Sequence, residues 1–349
     1  MTPIPKVTII IPVYNVKPYL RQCLDSVVNQ TLRDIQIICV NDGSTDGSVA
    51  LLEEYAAQDS RIEVIHQENQ GGGSARNAAY PYIRGKYTYF VDPDDWLELE
   101  LCQQCYDKAE ATEADAVALR HVVHDPKPAY SRPFNPVLPK ERHSAEEKHD
   151  ILQFAAPWRG FWRSDLLLSN NVRFSEGKRP YNDMLMFWKG IVLANRITIL
   201  DIPLYHYRTR PGSYQQVIDE KHFIIVATME EINKMLHEIG CYHSYRDVFI
   251  AQKLNVWCHR YHCLPAPMKP KFVALIREAL IAEDRDFYRT ASKKLIPKAT
   301  KFFYEMIDGG LKEMLNYHNY QIIRPIVQMP ERFVRQWIVK PIRRMLKAS

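Results

Sequence analysis

The first 120 residues alternate two kinds of hydrophobic pattern. Val7-Thr8-Ile9-Ile10-Ile11 is a short β-branched run halted at Pro12. A continuous apolar run of that length suits a strand buried on both faces. Leu20, Cys23/Leu24, Val27/Val28 and Leu32 then recur three and four apart, which predicts an amphipathic helix. Residues 35–40 predict a second strand, ending at Asn41-Asp42-Gly43, and Asp46 is placed to cap the helix that carries Val49, Leu52 and Tyr55. Residues 62–65 predict a third strand. Gly71-Gly72-Gly73 opens a helix through Ala75, Ala78 and Ala79, and residues 87–91 form a fourth strand that stops at Asp92. The succession βαβαβαβ is that of an α/β fold with a mostly parallel, doubly wound sheet.

The pattern changes twice further on. Pro126, Pro128, Pro133, Pro136 and Pro139 crowd a polar stretch that reads as a long surface loop. Residues 197–200 and 204–207 predict two more strands, and beyond Gly212 the signal becomes helical with proline breaks. The expected organisation is one α/β domain over 1–215, in two halves (1–120 and 144–215), followed by a helical region over 216–349. Hydrophobic residues make up 46% of the chain and charged residues 25%, enough for an ordinary globular core. Runs of about 18 uncharged apolar residues are absent, and the N-terminus lacks an apolar stretch with a cleavage site. A cytoplasmic protein is therefore expected. Seven cysteines suit reduced thiols. Cys102/Cys105, which lack a second pair at zinc-finger spacing, and the cluster Cys258, His259, His262, Cys263 are read as packing rather than metal ligation, since a buried free cysteine behaves as a small hydrophobe.

Ligands of an open parallel sheet bind beyond the carboxyl ends of its strands. Three polar clusters fall there: Pro12-Val13-Tyr14-Asn15, Asn41-Asp42-Gly43-Ser44 and Asp92-Pro93-Asp94-Asp95. Three carboxylates within four residues repel one another unless a cation lies among them, and Mg2+ or Mn2+ takes carboxylate oxygens while sharing phosphate ligands. The bland alternative is a solvated acidic turn. Gly71-Gly72-Gly73-Ser74-Ala75-Arg76-Asn77 lacks the Lys-Ser/Thr of a P-loop, yet a glycine-rich helix start approaches ligands closely and Arg76 suits phosphate oxygens. Downstream, Met184, Phe187/Trp188 and Ile191/Val192 recur at helical spacing, which places Asp183 at a helix start. There the helix dipole favours its ionised form, and an ionised carboxylate takes a proton from an acceptor hydroxyl.

Taken together, these segments resemble the successive signatures of family 2 inverting glycosyltransferases, in their order and spacing: residues 7–15, 40–46, 69–77 and 90–95. The resemblance covers roughly residues 5–215. It implies the GT-A fold, a nucleotide-diphospho-sugar donor, usually UDP-linked, and a divalent metal. Carried over by position, it implies that Pro12, Tyr14 and Asp42 hold the nucleobase, that Arg76 lies near the diphosphate or donor sugar, that Asp92 lies near the ribose and sugar, and that Asp94 binds the metal, shared with Asp95. Asp183 matches the catalytic base, with Asn182 where the family has glutamate. Gly73 stands where the family often has serine. Tyr205-His206-Tyr207-Arg208 and Gly212-Ser213 resemble the family's closing motif, which implies Arg208 and Ser213 over the diphosphate. Trp158 is a candidate for stacking on an acceptor sugar, with a core position as the alternative. The resemblance further implies a saccharide or lipid-linked saccharide acceptor in surface polysaccharide assembly.

Charge is unevenly spread. From Arg260 onward 18 Lys/Arg face 8 Asp/Glu, whereas the first 259 residues carry 28 against 33. Phe333/Val334, Trp337/Ile338, Ile342 and Met345/Leu346 interleave with Arg332, Arg335, Lys340, Arg343, Arg344 and Lys347. That basic amphipathic pattern fits an anionic membrane surface, and equally a helix packed on the domain or on a second subunit of a homo-oligomer. Nucleic acid is disfavoured, since no recognition fold accompanies the charge. Two other functions compete: a nucleotidyltransferase, which would place a Gly-rich basic loop where Pro12-Val13-Tyr14-Asn15 stands, and a scaffold with an inactive transferase domain.

Overall fold

The computed structural model describes residues 4–124, 132–134, 141–142, 148, 151–152, 155–210, 219–280 and 284. Most of the proline-rich stretch, Ser213 and the basic segment 331–346 lie outside the described residues.

The predicted alternation is present. β1 (Val7–Val13), α1 (Lys17–Val28), β2 (Ile35–Asp42), α2 (Ser48–Gln58), β3 (Ile62–Gln67), α3 (Gly72–Ala78) and β4 (Tyr87–Phe90) follow in order. Then come β5 (Trp96–Leu97), α4 (Leu101–Thr112), β6 (Ala116–His124), β7 (Arg132–Phe134), β8 (Glu141–Arg142), β9 (Gly160–Arg163), α5 (Ser164–Ser169), α6 (Met184–Leu193) and β10 (Ile197–Arg208). The helices α7 (Ile224–Ile239), α8 (Tyr242–Cys263) and α9 (Lys269–Ala279) close the described chain. The sheet order is β3-β2-β1-β4-β9-β6-β10-β5, with β7 on β6 and β8 on β10. β1 to β4 pair in parallel, as do β6 and β10, whereas β9 runs antiparallel between β4 and β6.

Three local differences from the sequence reading have physical reasons. β1 runs through Pro12 instead of stopping there. Ile10 accepts a bond from Val91 on the β4 side, and that ladder ends at Ile10 opposite Phe90. Pro12, two residues on, faces the same edge where no partner strand needs its missing N–H. Residues 197–208 form one strand, not two, because register shifts around Pro203 absorb the break as a bulge. Asp46 is not the N-cap of α2, a position that Gly47 takes: Oδ1 accepts from the Ser48 N–H at 2.9 Å and hydroxyl at 2.6 Å, while Oδ2 accepts from the Lys17 N–H at 2.9 Å, tying the starts of two helices. Cys102 and Cys105 are buried packing residues.

Two compact units divide the chain, Met1–Gln252 with Leu264–Met268, and Lys253–Cys263 with Lys269–Ser349. The first runs on past residue 215 because α7 packs against α6. In the second, Lys253 and Asp284 form a buried ion pair at 2.7 Å. No described helix is long and apolar enough to cross a membrane.

The orientation of α6 matters most for the site, since it begins directly after Asp183. Trp162 on β9 is fully buried between two glycines: a Cβ on Gly160 would approach its ring to 2.2 Å and one on Gly190, within α6, to 2.6 Å. Gly190→Ala sets two effects against each other, a helix-propensity gain of about 1 kcal/mol and an overpacking cost of about 1–3 kcal/mol. Because the indole is clamped and cannot yield, net destabilisation is expected in urea unfolding; a higher midpoint would contradict this packing.

Candidate active site

The loops at the carboxyl ends of β1 and β2 meet as expected. Asn15 Oδ1 accepts the Thr45 N–H at 2.7 Å, the Asn15 N–H donates to Ser44 Oγ at 3.2 Å, and Asn41 Oδ1 accepts the Ser44 N–H at 3.0 Å. Pro12 is buried in β1, while Tyr14 at its end is 48% exposed and open to a ligand. Asp42 is only 2% exposed. Its Oδ1 accepts from Gln67 Nε2 at 2.7 Å and the Gln70 N–H at 2.8 Å, and its Oδ2 from the Gly71 N–H at 2.8 Å. A carboxylate has about four acceptor positions, so Asp42 holds the turn into α3 and keeps one in reserve.

α3 is the seam between the two halves of the first unit. A Cβ on Gly73 would lie 2.2 Å from the Ser175 carbonyl oxygen and 3.0 Å from Asn182 Cβ. One on Gly71, whose φ is +93°, would lie 2.4 Å from the Gly177 carbonyl oxygen. This explains Gly73 in place of serine: here the position has no room for any side chain. Asn77 then grips Phe174 twice, donating Nδ2 to its carbonyl and accepting its N–H, each at 3.0 Å. The Gly177 N–H donates to Ser74 Oγ at 3.1 Å.

That docking brings Asp183 beside Arg76 and Asp92. Arg76 is 7% exposed; it donates to Asp92 Oδ1 at 2.5 Å and to the Gly72 carbonyl at 3.1 Å, and lies over the Phe174 ring. Its Nε has no hydrogen-bond partner among the described residues. Asp183 occupies the N-cap position of α6 without a capping side-chain hydrogen bond, so it is not a structural cap. Burial pushes its pKa up to about 6, with Arg76 and nearby backbone N–H groups pulling the other way. The dipole expectation is therefore corrected: desolvation outweighs the helix terminus. Asp92 is likewise raised by burial, against the downward pull of Arg76.

The acidic triad separates into three roles. Asp95 is buried, with Oδ2 accepting the Tyr205 hydroxyl at 2.5 Å and Oδ1 the Arg208 N–H at 2.7 Å. Burial, then its acidic neighbours, push its pKa well up. Asp95 thus fastens β10 to the acidic turn. Asp94 Oδ2 accepts from Arg210 Nε at 2.6 Å, and among the described residues Oδ1 has no donor. Asp94 and Asp92 carry carboxylate oxygens of the hard type that divalent cations take, and among the described residues no group of three or more His, Cys, Asp or Glu side chains is arranged to hold a metal ion. Arg208 donates to the Asp94 carbonyl at 2.8 Å and to Gln22 Oε1 at 2.5 Å.

Trp158 is a second correction. It is 3% exposed, stacks on Tyr205 at 4.4 Å and meets His121 edge-on at 4.6 Å, so its faces belong to the core and not to a sugar. The sequence reading gave no role to Arg210 or Tyr205. The signal for both was the uncompensated charge of the triad, which demanded donors from another segment. Asn182 packs on Gly73 and donates to the Arg179 carbonyl at 3.2 Å.

Comparison with known proteins gives the family and the fold. Residues 8–167 match the family model described as glycosyl transferase family 2. The putative glycosyltransferase EpsH of Bacillus subtilis is 30% identical, over 83% of this chain and 86% of that protein. The uncharacterized glycosyltransferase EpsJ of the same organism is 37% identical over 61% of this chain, which spans 64% of EpsJ, under two thirds of its length. Among solved structures, S. aureus TarS 1–349 in complex with UDP-GlcNAc shares the fold, with a TM-score of 0.60 over 83% of this chain and 91% of that one at 19% identity.

Proposed function

The chain belongs to glycosyl transferase family 2, and on that premise we propose that it is an inverting, metal-dependent glycosyltransferase that moves a hexose or N-acetylhexosamine from a UDP-sugar to a saccharide hydroxyl. The acceptor in this reading is a saccharide, free or lipid-linked, of the kind built into lipopolysaccharide, capsule or exopolysaccharide. One observation carries the reading: Asp183, free of any capping bond and raised to a pKa of about 6, stands beside the Arg76–Asp92 pair at the carboxyl end of the sheet. The capture of UDP-GlcNAc by TarS, a protein of the same fold, supports the donor class.

Chemically, the acceptor oxygen attacks the anomeric carbon while Asp183 takes its proton. The bond from that carbon to the diphosphate breaks on the opposite face, and UDP leaves with the electron pair. A carboxylate with a pKa near the working pH is a better base than an ordinary aspartate and is still mostly ionised above pH 6. Arg76 and Arg208 offer positive charge to the diphosphate. A divalent cation held by Asp94, with Asp92 beside it, would supply Lewis-acid neutralisation of the leaving group. Tyr14 and Asp42 hold the nucleobase in this reading, Asn182 faces the sugar, and Ser213 completes the diphosphate contact.

Asp183→Asn is expected to abolish UDP release from a UDP-sugar while leaving UDP affinity within about threefold, since the base does not bind the ground state. Its stability gives an independent check. The folded pKa of about 6 lies above the ordinary 3.8. The cost of ionisation is therefore absent below about pH 4, grows toward pH 6 and is complete above it. Above pH 6, Asp183→Asn should melt higher than the wild type, and the wild-type rate should fall as pH drops through about 6. A variant that turns over normally would refute the base. Asp94→Ala should remove the dependence of UDP binding on added Mg2+ or Mn2+ in titration calorimetry; an unchanged metal dependence would refute its role.

A further inference from the structure

We propose that the ion pair between Arg179 and Glu231 is a positioning device that sets Asp183 from the helix α7, an inference that rests on the reading of Asp183 as base. The segment 174–182 that delivers Asp183 is conformationally expensive. Gly177 has φ of +88° and Tyr181, a bulky residue, φ of +60°. Its internal bonds are few. The Ser175 N–H donates to the Asn182 carbonyl at 2.8 Å, the Arg179 N–H to the Gly177 carbonyl at 2.9 Å, and Asn182 Nδ2 to the Arg179 carbonyl at 3.2 Å. A segment so built needs anchors outside itself.

α3 supplies the anchors at one side, through Ser74 and Asn77. α7 supplies those at the other. Arg179 reaches Glu231 with both terminal nitrogens, Nη1 to Oε1 at 2.7 Å and Nη2 to Oε2 at 3.2 Å, and Nη2 also donates to Thr228 Oγ1 at 2.6 Å. Ser175 Oγ donates to the same Glu231 at 3.1 Å. The Tyr181 hydroxyl and His222 Nδ1, just before α7, are hydrogen-bonded at 2.9 Å. A forked guanidinium–carboxylate contact fixes orientation as well as distance, which a lysine or an apolar contact would not do. From Glu231 the constraint runs to Arg179, from its carbonyl to Asn182, and from there to the next residue, Asp183. None of Arg179, Thr228 or Glu231 lies within the residues 8–167 that the family model matches.

The donor side is held separately, by the Asp42, Arg76, Asp92 and Asp95 contacts, so loss of the pair should affect the base and spare the nucleotide. The test uses the full chain with Glu231→Gln and Arg179→Lys, and Asp183→Asn in parallel. UDP is the binding probe, and UDP-glucose, UDP-galactose and their N-acetylated forms are the turnover probes. Expected are a fall in kcat of about ten- to a hundredfold, for a base displaced by a fraction of an ångström, and UDP affinity within about twofold. The acid limb of the rate should move to lower pH, because a loosened segment lets water reach Asp183. Amide hydrogen exchange should rise over 175–187 and stay unchanged in α3, a readout independent of the donor sugar. Wild-type kcat and acid limb in Glu231→Gln, or wild-type exchange over 175–187, would overturn the inference. So would a fall in UDP affinity equal to the fall in kcat, which marks a general structural role. If Asp183→Asn keeps its activity, the base assignment fails instead, and the exchange measurement still decides whether α7 holds the segment.

Discussion

At Gly73, a single added carbon would lie 2.2 Å from the carbonyl oxygen of Ser175. The segment carrying Asp183 can dock on α3 only because that carbon is missing, and Gly71 repeats the condition two residues earlier against Gly177. The distance between donor-side and acceptor-side groups is set by this backbone-to-backbone approach rather than by side-chain packing. Asn77 then fixes the register with two hydrogen bonds to Phe174. Every electrostatic relation in the cleft, the proximity of Asp183 to Arg76 above all, follows from it.

The charges gathered there are balanced but not extinguished. Asp92, Asp95 and Asp183 are all raised by burial, and three arginines answer the acidic turn: Arg76 at Asp92, Arg210 at Asp94 and the Arg208 backbone at Asp95. Arg76–Asp92 and Arg210–Asp94 are part-buried pairs, and removing one partner leaves a charge whose loss of compensation costs more than an exposed pair contributes. Among the described residues Asp183 has no ion-pair partner at bonding distance and no capping side-chain bond. A half-buried carboxylate left in that state is poor for stability and well suited to proton transfer.

Much of this was legible in the residues themselves. The β-branched runs and the polar clusters at their carboxyl ends gave the sheet and the cleft, because strand burial and loop chemistry are local. The role of Asp95 was not legible, since Asp94 and Asp95 are chemically alike in sequence. Only the arrival of Tyr205, more than a hundred residues away, separates them. Trp158 misled for a similar reason: an aromatic beside a cleft and an aromatic under it read the same until Tyr205 is seen stacked on it. The Arg179–Glu231 contact joins two segments that carry no shared periodicity, so nothing short of the fold pairs them.

The central claim is that a base and a leaving group face each other across the sugar, and the stereochemistry of the product tests it directly. Proton NMR can follow the hexose first released to water from an α-linked UDP-sugar, before the anomers equilibrate. The account predicts the β-anomer, since attack comes from the side of Asp183, opposite the diphosphate. Initial release of the α-anomer would contradict it.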